Sequence, residues 1–292
     1  MPAGGLFPEQ AVAFLAAVTV FSIMLVVGLA LDGREFRWIF QHRGLVAGSL
    51  FAVLVAVPAI ALAVCRGVEL SRAVEIGIVL MAISPGAPVA LRRSLGAGGH
   101  RSFAPALQVM VAALAVVSMP LWVAALEEVY AGRATVAPSQ LAWQVFTAQL
   151  LPLGVGMLAR RTFPARAAAL EPALARTAGI LLLALTLVVL LNVWQVVVDA
   201  GLLVIGAIAG VTVLALAAGH ALGGPEPATR TAVAISSAMR NPGLALVVAT
   251  RNAAPPETIA TLFAYLVVSA LIVLAYVTWR RRTGVPRGQR AP

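Results

Sequence analysis

Charged residues, cysteine and histidine are scarce in this chain, and their scarcity excludes several classes of protein. Only 11% of the 292 residues are charged, and no lysine is present. The single cysteine, Cys65, allows neither an intramolecular disulfide nor a multi-cysteine metal site. The three histidines, His42, His100 and His220, lack the spacing of a metal-binding motif. We therefore expect no metal site and no cofactor.

The residue sets that enzymes use for catalysis are missing as well. No paired carboxylates, serine-histidine-aspartate set or phosphate-cradling glycine loop lies at a common depth in the apolar segments. The sequence therefore indicates a protein that is not an enzyme.

Hydrophobic residues make up 61% of the chain, which is too high a fraction for a soluble globule of this length. Nine apolar segments approach the roughly 20 residues that a helix needs to cross a membrane. They lie at roughly 10–31, 44–65, 73–91, 104–126, 141–159, 177–198, 200–221, 231–250 and 259–278. The connections between them are short, so we predict an all-α polytopic membrane protein with nine transmembrane helices in a single domain, residues 1–292.

The net charge of +10 comes from arginine, and the positions of the arginines predict how the chain is oriented in the membrane. Of the 21 arginines, 16 lie on one set of alternating connections and four on the opposite set. By the positive-inside rule, the N-terminus is outside and the C-terminus is cytoplasmic, with a basic tail over residues 280–292. A multi-pass protein in the lipid bilayer of a cell (plasma or inner) membrane explains this charge without a nucleic-acid partner.

Two proline-glycine breaks interrupt the third and the eighth apolar segments. The first contains Pro85, Gly86 and Pro88 in SPGAP, and the second contains Pro242 and Gly243 in MRNPG. Proline removes a backbone donor and glycine lowers helix stability, so unwound backbone at this depth must line a cavity or be buried in protein. Paired broken helices are typical of secondary transporters.

The sequences around the two breaks are similar to each other. AISPGAPVAL (82–91) and AMRNPGLALV (238–247) share the Pro-Gly pair and an apolar continuation, and their prolines are 157 residues apart. The predicted topology gives the two segments opposite directions, as an inverted repeat requires. Segments five to nine then form the second repeat, and segments one to four form a first repeat that lacks one helix.

Several short motifs occur in an order that is typical of one transporter family. They are FSIMLVVGL (21–29), Pro58, SPG (84–86), MPL (119–121) and MRNPGLA (239–245). In this order and spacing, residues 10–280 resemble the bile acid:sodium symporter family. The resemblance implies inverted five-helix repeats, here without the first helix, whose two broken helices cross in a core domain beside a panel domain. It also implies secondary transport by alternating access.

Most of the oxygen ligands that sodium-coupled members of this family carry are not retained, and of those in the second break only the asparagine, Asn241, remains. The resemblance places their Ser-Asn pair on Ala90 and Leu91, their glutamate on Ser236 and their glutamine on Arg240. Their remaining side-chain ligands fall on Val53, Ala112, Ala113, Ala115 and Val116. Sodium needs several hard oxygen ligands, which methyl groups and a guanidinium do not supply. We therefore expect the family's sodium sites to be absent.

Arg240 places a charge inside the second break, where an unpaired charge is costly. In a structural interpretation, the guanidinium replaces the missing cation and binds carbonyls at the half-helix ends. In a functional interpretation, it binds an anionic substrate together with the positive ends of the half-helices that begin near Pro88 and Pro242. Pairing with Glu75 is a further hypothesis.

The other candidate substrate-binding residues are polar side chains beside the breaks and two amides within the apolar segments. They are Ser84, Ser236, Ser237, Asn241, Asn192 and Gln108. Six glycines within the segments are predicted to make close helix contacts instead. They are Gly28, Gly154, Gly156, Gly179, Gly206 and Gly210.

These observations favour a secondary transporter of a small organic anion or amphipathic organic acid that works without obligatory sodium. A non-transporting membrane sensor or scaffold that keeps the transporter fold is the alternative, because it accounts equally well for the lost ion ligands.

Overall fold

The computed structural model describes residues 9–31, 41–129, 137–199 and 201–283, which contain helices and no strand. The first five helices are α1 (Glu9–Ala30), α2 (Arg43–Gly67), α3 (Arg72–Ile83), α4 (Pro88–Gly96) and α5 (Phe103–Val129). The next six are α6 (Pro138–Thr162), α7 (Pro164–Asp199), α8 (Gly201–Leu222), α9 (Pro227–Ala238), α10 (Pro242–Arg251) and α11 (Pro256–Thr283).

Eight stretches of the described residues are long and apolar enough to cross a membrane, by length and composition. They are α1, α2, α5, α6, the first part of α7, α8, the α9–α10 pair and α11. Eight of the nine predicted segments coincide with these stretches. The third predicted segment, 73–91, is divided into the 12-residue α3 and the 9-residue α4. Because Pro85 and Pro88 have no N–H, the hydrogen-bond ladder of α3 cannot continue across the break.

Two proline-containing helices change their pitch in the turn before the proline. α2 contains a π-helical turn over Ala52–Ala56, two residues before Pro58, and α6 contains one over Phe146–Leu150, two residues before Pro152. A π-helical turn shifts the hydrogen-bond partner by one residue, and such turns occur often at functional sites. In both helices the missing proline N–H is therefore accommodated without a break.

Helix α7 begins 13 residues earlier than the sixth predicted segment. Residues 164–176 were predicted as part of a basic connection, but they form the first turns of the 36-residue α7. Pro164 suits the first helical position because its fixed φ is helical and its missing N–H has no helical partner there. The following alanine-rich sequence has high helix propensity.

α1, α6 and α7 pack against one another and form one group of helices. The contact between α1 and α6 depends on two glycines, because a Cβ at Gly28 would overlap the carbonyl of Leu153, and a Cβ at Gly156 would overlap the carbonyl of Leu25. Close contacts are thus confirmed at these two positions. The same prediction is wrong for four other glycines, where a Cβ would meet nothing within 4 Å: Gly154, Gly179, Gly206 and Gly210.

α8, α9 and α11 form the centre of a second group, with α3 packed on α11 and with α2 packed on α8. The α9–α10 pair lies deepest, since 83% of its apolar window is buried, compared with 17% for the window in α7. A glycine again permits the closest approach, because a Cβ at Gly219 in α8 would overlap the backbone of α9 at Ala234. The second broken helix is therefore surrounded by protein.

The two broken helices run in opposite directions. At the end of α11, Arg281 Nε donates to Gly96 O at the end of α4 (2.9 Å), and Arg280 Nη2 donates to Pro227 O at the start of α9 (3.0 Å). At the start of α11, Thr258 Oγ1 donates to a carbonyl in the first turn of α3 (2.9 Å). Hence α3–α4 runs parallel to α11, whereas α9–α10 runs antiparallel to it.

The last helix extends into the segment predicted as a basic tail. α11 continues to Thr283, so residues 280–283 are helical, and residues 284–292 lie outside the described ranges. Arg280 is only 7% exposed, and its Nε donates to Thr231 Oγ1 at 2.8 Å. This arginine therefore stabilises the contact between α11 and α9.

Candidate functional site

The two breaks meet in the interior of the protein. The backbone N–H of Asn241 donates to Ser84 O (2.9 Å), and its Nδ2 donates to Gly86 O (3.5 Å). Asn241 also caps α10, because its Oδ1 accepts from the N–H of Leu244 (3.1 Å). The side chain of Asn241 is 3% exposed, and each of its polar atoms has a protein partner. Asn241 therefore connects the second break to the first.

Arg240 lies at the centre of this junction with its guanidinium directed at backbone carbonyls. Nη1 donates to Val53 O in α2 (3.1 Å) and to Ser237 O in α9 (3.4 Å). Nε donates to Met81 O at the end of α3 (3.4 Å), and Nη2 donates to Ala82 O. The side chain is 3% exposed. A single guanidinium thus joins three helices.

The carbonyls of α3 and α9 that face Arg240 lie at helix ends, where the helix itself supplies no N–H donor. The last four carbonyls of a helix have no partner within it, and α3 ends at Ile83, so Met81 and Ala82 are among them; Met81 O also accepts from the capping N–H of Ser84 (3.0 Å). The same holds for Ser237 near the end of α9. Each half-helix also carries a partial negative charge at its C-terminal end. The site is therefore a cluster of carbonyl oxygens that attracts a cation.

Pro58 leaves a carbonyl of α2, that of Val53, free to accept a hydrogen bond from Arg240. Val53 and Leu54 lie five and four residues before Pro58, the distances of a π-helical and an α-helical hydrogen bond, but proline has no N–H to donate. The Val53 carbonyl accepts from Arg240 instead, and the Leu54 carbonyl accepts from Trp122 Nε1 (2.8 Å). The proline of α2 is thus linked to the charge in the second break.

This geometry supports the structural interpretation of Arg240. A guanidinium has five N–H donors, and the four hydrogen bonds described here leave at most one for a ligand. Pairing of Arg240 with Glu75 is wrong, because Glu75 accepts from Arg72 Nη1 (3.2 Å) in the first turn of α3.

The remaining predicted site residues differ in how their polar atoms are used. Ser84 is fully buried, and its Oγ donates to Leu80 O (2.7 Å). Ser236 is half-buried, whereas Ser237 is fully buried with an Oγ that has no partner among the described residues. Gln108 is 2% exposed, and its Nε2 also lacks a partner there. Asn192 lies on the backbone of α7, but outside the side chains that the structure describes.

Gln149 is a site residue that the sequence reasoning missed. Its side chain is fully buried in the π-helical turn of α6, and its Oε1 lies 3.4 Å from the position that a Cβ would take on Gly86. The signal in the sequence was an amide three residues before Pro152, within an otherwise apolar segment. Gln149 therefore lies where the α1–α6–α7 group meets the first break.

A chain with eight candidate membrane spans and two antiparallel broken helices that meet at buried backbone has the architecture of a secondary transporter. The profile of the Sodium Bile acid symporter family matches residues 17–200, more than half of the chain, so the protein belongs to this family. The match includes the first break and ends before Arg240. No curated protein matches the chain. The protein is thus a non-enzymatic, multi-pass membrane transporter for a small molecule.

Proposed function

We propose that the protein carries a small organic anion or amphipathic organic acid across the membrane without coupling to sodium. The observation that carries this proposal is the Arg240 guanidinium, which is bound by the carbonyl cluster at the junction of the two breaks. A fixed positive charge in this cluster removes the attraction that a mobile cation would experience, and it repels a second cation nearby.

The residues at the family's ligand positions support the absence of sodium coupling. Val53, Ala90, Ala112 and Ala115 are each at most 1% exposed, and their side chains carry no oxygen. Val53 contributes only its backbone carbonyl, and this oxygen already accepts from Arg240. A sodium ion at the junction would therefore compete with a guanidinium that cannot lose its proton.

The preference for an anion rests on the half-helices that start at the breaks. α4 begins at the first break without a side-chain cap, and α10 begins at the second, with Asn241 as its cap. The N-terminal end of each half-helix carries a partial positive charge that favours anions. Arg240 adds a full charge beside them. We propose an anion site at these two ends, in which Arg240 contributes chiefly through its field because at most one of its donors is left for a ligand.

Alternating access requires two bodies that move relative to each other. We propose that the α1–α6–α7 group is the panel and that the group around α8, α9 and α11 is the core of one transmembrane domain. The boundary between these two groups of helices runs along the junction of the two breaks. There, Gly243 at the start of α10 packs on Val20 of α1, and Gly86 packs on Gln149. We further propose that the N-terminus is outside and the C-terminus cytoplasmic, as the arginine distribution predicts.

A thermal-shift screen tests binding and the role of sodium together. Purified protein in detergent is heated with a panel of organic acids in sodium chloride and, separately, in potassium chloride. We expect at least one acid to raise Tm equally in the two salts. Uptake of that acid into proteoliposomes is then compared with a sodium gradient and with a potassium gradient. A shift or an uptake rate that requires sodium would contradict the proposal.

The scaffold alternative is favoured by one observation, namely that Arg240 joins both breaks and α2 through backbone bonds and so holds the junction in one arrangement. The same experiments distinguish it from a carrier. A scaffold or sensor would bind an acid without transporting it, or would bind none, whereas a carrier would both bind and accumulate it.

A further inference from the structure

Two buried glutamines near the first break lack hydrogen-bond partners. Gln149 is 0% exposed, and neither its Oε1 nor its Nε2 has a partner among the described residues. Gln108 is 2% exposed, and its Nε2 has none there either. Leaving a buried polar group without a partner costs about 1–3 kcal/mol. The other buried side-chain atoms without partners in the described ranges are single hydroxyls, of Ser94, Ser237 and Tyr265.

The two glutamines lie on different helices, α6 and α5, and both helices contact the first break. Gln149 Oε1 lies 3.4 Å from the Cβ position of Gly86, and the backbone of Ala112 in α5 lies 3.6 Å from the same position. Gln108 precedes Ala112 by one helical turn, so it lies on the same face of α5. Gly86 has a φ of 83° and no side chain, so the backbone of the first break lies close to the Gln149 amide and to α5.

A third glutamine, Gln144, is buried as well, yet its amide has a partner. Gln144 is 4% exposed and lies on α6, two residues before the π-helical turn that contains Gln149. Its Oε1 accepts from Asn252 Nδ2 (3.3 Å), which links α6 to the end of α10. Among the described residues, the fold therefore provides a partner for Gln144 and none for Gln149.

We propose that Gln149 and Gln108 form a subsite that binds a hydroxyl group of the transported acid. A hydroxyl both donates and accepts, and an amide offers both a carbonyl acceptor and N–H donors, so the unpaired atoms match a neutral hydrogen-bonding group. The acid group itself goes to the charged part of the site, at the half-helix ends near Arg240. The proposal rests on the proposed function and narrows the substrate class to hydroxylated organic acids.

Substitution of Gln149, combined with pairs of acids that differ by one hydroxyl, tests this subsite. The probes are lactate against propionate, and 3-hydroxybutyrate against butyrate, with Kd measured on the full-length protein. A site built to bind a hydroxyl discriminates strongly against an analogue without it, because its polar groups are then left unpaired. We expect the wild type to prefer at least one hydroxylated acid by about tenfold or more.

In Gln149→Leu, we expect this preference to fall to within about twofold of unity, while the affinity for the acid without the hydroxyl stays nearly constant. Gln144→Leu is the matched control, and it should keep the wild-type preference because that amide is paired with Asn252. Gln108→Met is the second variant, and it should lose most of the preference. If Gln149→Leu does not fold, Gln108→Met alone tests the subsite.

An unchanged preference in Gln149→Leu and Gln108→Met would overturn the subsite, as would a wild type that binds acids without discrimination. In that case water molecules occupy the amides, and the proposed anion carrier stands. If neither member of any pair binds to the wild type, the proposed function fails and the subsite fails with it.

Discussion

Replacement of Arg240 by methionine tests the claim that the guanidinium holds the junction together. Methionine is long and apolar, so Arg240→Met keeps most of the packing and removes the charge and all the donors. The carbonyls of Val53 and Ala82 accept the two shortest hydrogen bonds, and those of Met81 and Ser237 accept longer ones of 3.4 Å.

The size of the effect follows from the two short bonds. A hydrogen bond to a charged group contributes about 1.5–3 kcal/mol, so their loss costs about 3–6 kcal/mol. Removal of a buried charge recovers part of its desolvation penalty, but carbonyls that lose their donor remain buried. Val53 has no alternative donor in its own helix, because Pro58 lacks the N–H. We therefore expect a net loss of about 3 kcal/mol.

The assay is thermal unfolding of the purified protein in detergent. At roughly 2–4 °C per kcal/mol, we expect Tm to fall by about 6–12 °C. Arg251→Gln is the control, because Arg251 is exposed in the last turn of the same half-helix α10, and a surface substitution changes stability by less than about 0.5 kcal/mol. Arg240→Met with a Tm within about 2 °C of the wild type would refute the structural role of the guanidinium.

Three further pairs of substitutions test individual contacts between helices. Trp122→Phe should cost about 1 kcal/mol by loss of the 2.8 Å hydrogen bond from the indole to Leu54 O in α2. The cost should be smaller in a Pro58→Ala background, where a new backbone N–H replaces the indole as donor, and a thermal double-mutant cycle measures the difference. Gly156→Ala should lower Tm because its Cβ overlaps a carbonyl of α1, whereas Gly154→Ala, in open space, should leave Tm unchanged or raise it. Arg280→Gln should cost about 1.5–3 kcal/mol and the exposed Arg282→Gln almost nothing, and equal Tm values for the pair would contradict the α11–α9 contact.

Local chemistry made the breaks predictable from sequence. Proline and glycine act on the backbone wherever they occur, so Pro85 and Pro242 marked the interrupted segments without knowledge of their neighbours. The same local reasoning predicted that carbonyls at half-helix ends would face Arg240, and two such ends do. The predicted break in 73–91 divides that segment into two helices, each shorter than a membrane span.

Contacts between distant parts of the chain were not predictable. The bond from Arg240 to Val53 joins residues that are 187 positions apart, and it depends on a proline in a third location. Glycines present the same problem, because the sequence shows that Gly154 and Gly156 are small but not which of them faces α1. Gln149 resembled any polar residue of a membrane helix until the packing showed that it has no partner.

If the junction is a cation site in which arginine has replaced the ion, the ion's ligands can be returned. The family resemblance places a glutamate on Ser236 and a glutamine on Arg240, so the double variant Ser236→Glu, Arg240→Gln supplies a carboxylate and an amide oxygen. Removal of the guanidinium frees the carbonyls of Val53, Ala82 and Ser237. Hard oxygen ligands of this kind suit a hard cation.

At a sodium concentration tenfold above Kd, binding stabilises the folded state by about 1.4 kcal/mol, or roughly 3–6 °C in Tm. We expect this rise in sodium chloride relative to potassium chloride for the double variant, a smaller one for Arg240→Gln alone, and none for the wild type. Equal Tm values for the double variant in the two salts would contradict the interpretation of the junction as a cation site in which arginine replaces the ion.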